Sequence, residues 1–516
     1  MTSIVTSTNV FRSPGYFRAA AGSLLSVAAC AQITGADGDP PIVAPRCTGS
    51  IHVRIASDFS GTATDIAIPH FFGLYDHLQY INSQGGLSGC PIDIQTADNH
   101  YTGPGTQTVI ENWAGKADGS TAPTDPDWAN VSTVFVFGTG PTTTVYPLPQ
   151  MANKVIIPGS YAGAFTTPNP IDKTITYPFV TAAFAEQSMD EVKKSSGYPY
   201  IFYPATDYST GIRVAIQAAY NIAPGRMAMA HEVVDSCAYC VDPLAAGKRF
   251  IKSPAVSGME LGRDLIIPQT SDPAMAPTID AAVQNYIMQE VAQVKADPNY
   301  KPVMWVWSGN SVFATSILGQ SLWKAQTTLI DSDMSIPPAI RTGWKLRVIA
   351  NNWGIGETAN TICAGAACTH DNFYGLFPVP KYGDATNSAA MAEIVSHHDH
   401  YGALGSAAAP PIPARTADQY ADVRYVQGYA AALLWEMGMR AAIMAGHRNP
   451  TGTDLKEAFE KFDNISLNGA TAQPITFTTT DHRPQSGEGI YKLDPSGKLV
   501  FVARYNIPLM DDWLGY

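Results

Sequence analysis

Charge is scarce in this chain: only 15% of its 516 residues are Asp, Glu, Lys or Arg, and the 44 acids outnumber the 32 bases to leave a formal net charge of -12. No cluster of Lys and Arg stands out, which argues against a nucleic-acid partner, because phosphate binding needs concentrated positive charge. After residue 40 no run is apolar for long enough to span a bilayer, so any membrane attachment must come from the N-terminus. There is no GxSxG nucleophile elbow, no P-loop and no GxGxxG opening a helix, so neither a serine hydrolase nor a nucleotide-binding site is signalled. What the chain has is 45% hydrophobic residues and a length too great for one ordinary core. Two lobes are therefore expected.

Cysteine is also sparse, with seven residues. Residues 1–30 hold Arg12 and Arg18, no acid, and a small apolar run from Ala19 to Ala29, the pattern of a secretory signal. Val27-Ala28-Ala29-Cys30 is similar to a bacterial lipobox, which makes Cys30 the expected lipidation site and residues 31–47 a linker. Six cysteines remain, and an exported protein tends to pair them. Cys47 precedes the first predicted strand and Cys90 the second, so parallel pairing of those strands would put both at one edge. Cys237 with Cys240, and Cys363 with Cys368, would close short loops. A lone CxxC is weak evidence for the rival reading, a redox or zinc motif.

From residue 52 onward apolar strands and helical patterns alternate, which implies parallel, helix-covered sheets. His52 to Ala56 is a strand ended by the polar loop Asp58-Phe59-Ser60-Gly61-Thr62. In the helix that follows, Phe71, Phe72, Leu74, Tyr75, Leu78 and Ile81 share one face. Ile92 to Thr96 and Val134 to Phe137 are further strands. Gly138, Gly140 and Pro141 then make a turn, Thr142, Thr143 and Thr144 follow, a helix is expected over Tyr146 to Asn153, and Lys154 to Ile157 is a strand ending in Pro158-Gly159-Ser160-Tyr161. Loops at the carboxyl edge of a parallel sheet face the crevice where such folds hold ligands. GTGPTTT and PGSYA are two such loops, although Gly and Thr are also ordinary turn and capping residues.

The stretch VRIASDFSGTATDIAIPHFFGLYDHLQYINSQGGLSGCPIDIQTADNHY, with FVFGTGPTTT and VIIPGSYA after it, resembles the opening of the type I periplasmic-binding-protein family. Tyr200 to Tyr203 with Ala205 to Gly211 is similar to the first strand and loop of that family's second lobe. Tyr425-Val426-Gln427-Gly428-Tyr429 resembles its late lobe-one helix, and Pro474 to Phe477 through Arg483 its closing strand. The resemblance runs from residue 50 to the end and is nearest to the branched-chain amino acid and amide receptors of ABC transporters. It implies an α/β fold of two Rossmann-like lobes, parallel sheets flanked by helices, joined by a three-crossover hinge with the ligand in the interlobe cleft. Lobe one would be 48–178 plus 380–472, and lobe two 179–379 plus 473–516.

What the resemblance implies for the site is a cradle of Thr142 and Thr143 with Gly159, Ser160 and Tyr161, the Ser60 loop beside it, and Tyr208 at the mouth of lobe two. Asn310, Asn352 and Trp353 would face them from lobe two. Trp305 and Trp307 share one strand face and read as core in preference to site. The acid that grips an α-amino group in amino acid receptors would fall near Ala350 to Gly354, where no carboxylate stands; Glu357 is the nearest. Tyr161 replaces a small hydroxyl residue. Both departures favour an amide, an aromatic or other carboxylate, or a weakly charged molecule over a standard amino acid. His397-His398-Asp399-His400 reads as the solvated face of a helix and not as a metal site. Asp481-His482-Arg483 reads as a strand-end turn. No catalytic residue, metal or cofactor is expected. The resemblance implies an extracytoplasmic solute-binding protein, not an enzyme, in the periplasm or cell envelope, delivering a small organic ligand to an ABC permease of the inner membrane. The alternatives are a ligand-binding sensory or co-receptor module, which would be expected to continue into a transmembrane helix, and a secreted hydrolase.

Overall fold

The computed structural model describes residues 47–165, 198–232, 238–357, 372–404, 411–416 and 418–509, with Ala359. Cys30 and the N-terminal signal, Cys237, Cys363 and Cys368, and the side chain of Cys240 lie outside the described residues.

The chain first lays down β1 (Ile51–Ser57), α1 (Thr64–Ser83), β2 (Ile92–Asp98), α2 (Gly103–Ala114), β3 (Val131–Val136), α3 (Thr139–Val145) and β4 (Val155–Pro158). The strands form a parallel sheet in the order β2-β1-β3-β4. β3 and β4 are buried at every residue, as expected for strands with helices over both faces. Ile51 pairs with Ile92, so the segments just before β1 and β2 emerge side by side. Cys47 and Cys90 meet there in a disulfide.

Next come α4 (Tyr208–Ile222), β5 (Arg226–His231), α5 (Ala238–Phe250), β6 (Glu260–Leu261), β7 (Leu265–Ile266), α6 (Ala276–Ala296), β8 (Val303–Ser308), α7 (Val312–Ala325), α8 (Pro338–Gly343), β9 (Arg347–Ala350) and β10 (Phe373–Phe377). Their sheet runs β10-β9-β8-β5-β6, all parallel, with β7 also on β5. The winding repeats that of the first sheet: a first strand in the middle, the second on one side, the third and fourth on the other.

The chain then returns to the first sheet with α9 (Met391–Leu404), α10 (Val423–Met444) and α11 (Gly452–Phe459). It goes back to the second with β11 (Gly487–Leu493) and β12 (Leu499–Asn506), an antiparallel hairpin added beside β10. Three passages therefore join two helix-flanked parallel sheets, the α/β architecture expected from the sequence.

The helix α1 turns the predicted face inward: Phe71, Phe72, Leu74, Leu78 and Ile81 are buried. Burying each contributes about 1.5–3 kcal/mol. Its partner is α10, and the two cross with backbones in contact. A Cβ on Gly73 would run into the carbonyl of Tyr425, and one on Gly428 into the carbonyl of His70.

Two expectations need correction. Tyr200 to Tyr203 does not open the second sheet. Ile201 bridges in parallel to Ile156, with Ile156 N donating to Tyr200 O at 2.8 Å, so the segment extends the first sheet and the second begins at β5. A short apolar run has no feature that selects one sheet edge over another. The helix expected over 146–153 instead occupies Thr139–Val145, with a single 3-10 turn at Pro149–Met151. Pro141 lies in its first turn, where proline has no hydrogen bond to lose, so the GTGPTTT pattern is a helix start.

Candidate functional site

The carboxyl ends of β3 and β4 and the loop after β9 meet in one buried group of aromatic side chains. Gly159, Ser160 and Tyr161 follow β4, whereas Asn352 and Trp353 follow β9, so the group joins the two sheets at their carboxyl edges. Tyr161 stacks on Trp353 with ring centroids 5.5 Å apart. Trp353 Nε1 donates to Tyr208 Oη at 2.8 Å, and Tyr208 N donates to the Tyr161 carbonyl at 2.9 Å. Ser160 Oγ lies 2.5 Å from Thr139 Oγ1 and 3.5 Å from Tyr208 Oη. Tyr208 is the first residue of α4, not a loop residue; Asp207 caps that helix by accepting from Thr210 N at 2.9 Å. Gly159 is needed for close packing, since a Cβ there would strike Phe137.

The loop after β9 is held by α10, which packs against the first sheet. Asn352 Nδ2 donates to Gln427 Oε1 at 3.0 Å. Arg424 Nη2 donates to the carbonyls of Trp353 at 3.3 Å and Ile355 at 3.0 Å, and its Nη1 pairs with Asp422 at 3.1 Å. Neither Arg424 nor Gln427 was singled out from sequence as a site residue, because their partners lie about seventy positions away. His70 was also missed. It projects from α1 against Phe137 and Trp353, with centroids at 5.3 and 6.0 Å. On an apolar helix face it reads as core.

Several polar atoms of this region have no hydrogen-bond partner among the described residues: His70 Nε2, Tyr161 Oη, Gln427 Nε2 and both side-chain amide atoms of Asn310. Leaving such an atom buried and unpaired costs about 1–3 kcal/mol. Burial lowers the His70 pKa to about 3, so its ring is neutral across the physiological range, and burial raises the phenols of Tyr161 and Tyr208. Aromatic faces and a few polar atoms are thus gathered in one place, enclosed from solvent.

Other expected members stand differently. Thr142 and Thr143 lie within α3 and each hydroxyl donates back to its own helix, to Gly138 O at 2.7 Å and Thr139 O at 2.9 Å. A hydroxyl so engaged has no proton left for a carboxylate. Ser60 is exposed, and its hydroxyl bonds Asp98 at 2.6 Å and His100 at 2.7 Å instead of joining the aromatic group. Glu357 is occupied: its oxygens accept from Tyr382 N at 3.1 Å and Val423 N at 2.8 Å. Burial, with Asp422 nearby, raises its pKa to about 7. Trp305 and Trp307 are core residues of the second sheet. His482 stacks on Phe202 at 4.1 Å and Arg483 pairs with Asp481; Pro474 to Phe477 before them is not the strand expected but makes an isolated bridge, Ile475 to Ile465.

The histidine run of α9 is not a solvated face. His397 and His398 are buried, and only Asp399 and His400 of the run are exposed. His398 Nε2 bonds the Gln419 carbonyl at 2.9 Å, while His397 rests on the Tyr80 ring at 3.9 Å. Burial, with His77 adjacent, lowers the His397 pKa to about 4. Adjacent histidines face neighbours on two sides because α9 is sandwiched, which the polar run alone does not reveal.

No protein-family model matches the sequence, and no curated protein sequence is similar to it. Solved structures are similar. A substrate-binding protein of an ABC transporter from Aeropyrum pernix superposes with a TM-score of 0.64 at 19% identity, covering 90% of this chain and 98% of that one. A branched-chain amino acid ABC transporter protein from Thermus thermophilus with bound valine gives 0.60 at 14% identity, covering 90% and 97%. A fatty acid ABC transporter substrate-binding protein from Thermomonospora curvata gives 0.56 at 14% identity, covering 89% and 92%. Among the described residues no helix is long and apolar enough to cross a membrane. Nearly the whole of each of these proteins is matched, and the chain has their fold, that of type I periplasmic binding proteins.

Proposed function

We propose that this protein captures a small organic solute outside the cytoplasm, between the carboxyl edges of its two sheets, and delivers it to an ABC permease without performing chemistry. The observation that carries this reading is the Tyr161–Trp353–Tyr208 contact, which ties the edge of one sheet to that of the other and is accompanied by polar atoms of His70, Tyr161 and Asn310 that have no partner among the described residues. A ligand touching both sheets would shift an open–closed equilibrium, and the closed form is what a permease would recognise. The division into lobes at 48–178 plus 380–472 and 179–379 plus 473–516 belongs to this proposal.

The solute class follows from the local chemistry. Relatives of this fold include one with valine and one described for fatty acids, so the likeness itself does not choose. No acid stands between Ala350 and Gly354, Glu357 is engaged elsewhere, and the Thr142 and Thr143 hydroxyls are spent within α3. An aromatic or amide-bearing molecule, held by ring stacking and by Ser160, Tyr161, Tyr208, Asn310, Asn352 and His70, fits better than a zwitterion. The Cys47–Cys90 disulfide supports an oxidising, extracytoplasmic location. Anchoring through a lipid on Cys30 remains part of the proposal. A thermal-shift and tryptophan-fluorescence screen of amides, aromatic acids and amino acids tests it. A stoichiometric ligand whose affinity falls tenfold or more in Trp353→Ala supports the site, whereas a ligand unaffected by Trp353→Ala and Tyr208→Ala rules it out.

A further inference from the structure

A second set of polar side chains lies where α1, α9 and α10 pack together. Glu393 and His397 are one helical turn apart on α9, and His77 faces them from α1. One ligand atom from each of the three falls within 4.8 Å of the others. His77 is fully enclosed; its Nε2 donates to Glu436 Oε2 at 2.7 Å, and its Nδ1 has no partner among the described residues. A histidine that gives one nitrogen to a carboxylate is fixed in the tautomer whose other nitrogen carries the lone pair, the arrangement that surrounds metal-bound imidazoles. Tyr429 steadies the other two, donating to Glu393 Oε1 at 2.9 Å and lying 3.1 Å from His397 Nδ1. Glu393 is exposed, so one of the three ligands stands at the surface.

We propose that His77, Glu393 and His397 bind a divalent transition ion of the zinc type, with Glu436 as the positioning residue for His77. Two imidazoles and one carboxylate form a borderline donor set that suits Zn²⁺, Co²⁺ or Ni²⁺, with water completing the coordination. Ca²⁺ and Mg²⁺ are disfavoured, since they require a shell of oxygens that one carboxylate cannot supply. The bound ion ties α1 to α9, clamping the returning segment of the chain onto the first sheet. The other grouping of this kind among the described residues, His52, Asp93 and Asp127, is of a different nature: the Arg54 guanidinium lies 3.0 Å from Asp93 and already supplies the positive charge.

The test uses tag-free, disulfide-intact, metal-stripped full-length protein titrated with Zn²⁺, and with Co²⁺ for its ligand-field spectrum. One equivalent is expected to bind and to raise the melting temperature. His77→Ala with His397→Ala should weaken binding by about 100-fold or more, and Glu436→Gln by about 10-fold, with circular dichroism unchanged. Should the double variant fail to fold, Glu393→Gln, at the exposed ligand, is expected to alter the Co²⁺ spectrum and lower affinity by about 10-fold or more. No stoichiometric binding by the wild type overturns the proposal. So does binding that survives unchanged in the folded double variant or in Glu393→Gln. Solute binding is a separate readout, so either reading can fail alone.

Discussion

His70 and His77 stand seven residues apart on one helix, about 10 Å along its axis and on nearly the same face. His70 meets Phe137 and Trp353, and burial with no compensating charge drives its pKa to about 3. His77 meets Glu436 and lies beside Glu393 and His397. One side chain is held as a neutral, apolar-walled donor or acceptor at the edge of the sheets, the other as a fixed tautomer among polar groups behind them. Helix periodicity delivers both histidines inward; the elements packed against each turn decide what the imidazole can do.

The largest effect should come from breaking the helix crossing that both histidines depend on. Gly428→Val would drive a side chain into the His70 carbonyl, and a loss of about 3 kcal/mol or more is expected in urea denaturation, with solute and metal binding both impaired. Trp353→Ala separates the two regions: about 3 kcal/mol of stability and at least tenfold in solute affinity should go, while metal affinity stays. Equal damage to both would contradict the separation.

Acid sharpens the contrast. The unfolded chain protonates His70 near pH 6.5 and the folded one only near 3, so the unfolded state binds more protons between those values. Stability from neutral His70 is complete above pH 6.5 and falls as pH drops towards 3, by up to about 1.4 kcal/mol per unit. Denaturation at pH 7 and pH 5 should show a shallower loss in His70→Gln; an unchanged slope would mean that the ring is not held neutral. Tyr208→Phe removes the acceptor of Trp353 Nε1 and should cost about 1–2 kcal/mol by the same method. Thr143→Val should be the mildest, shifting solute affinity by less than about twofold, because its hydroxyl serves only α3.

The sequence carried the parts of this comparison that are local. The buried face of α1, the strand ends at Gly138 and Pro158, and the aromatic residues Tyr161, Tyr208 and Trp353 could all be named from pattern and resemblance. The engagement of the threonine hydroxyls was not legible, since a Gly-Thr-Gly-Pro string suits a turn as well as a first helical turn. Arg424 and Gln427 reach the loop after β9 only when α10 folds back over the first sheet. His397 and His398 read as solvated until α1 and α10 cover them. In each case the missing information was a contact between residues far apart in the chain, which no window of sequence contains.

The most direct test of the proposed solute site is native mass spectrometry of the protein purified gently from its own host, beside Trp353→Ala prepared in the same way. One small organic molecule per chain, aromatic or amide-bearing and absent from Trp353→Ala, is the expected result. Wild-type protein that carries no solute and is not stabilised by any amide, aromatic acid or amino acid would contradict the solute-binding reading.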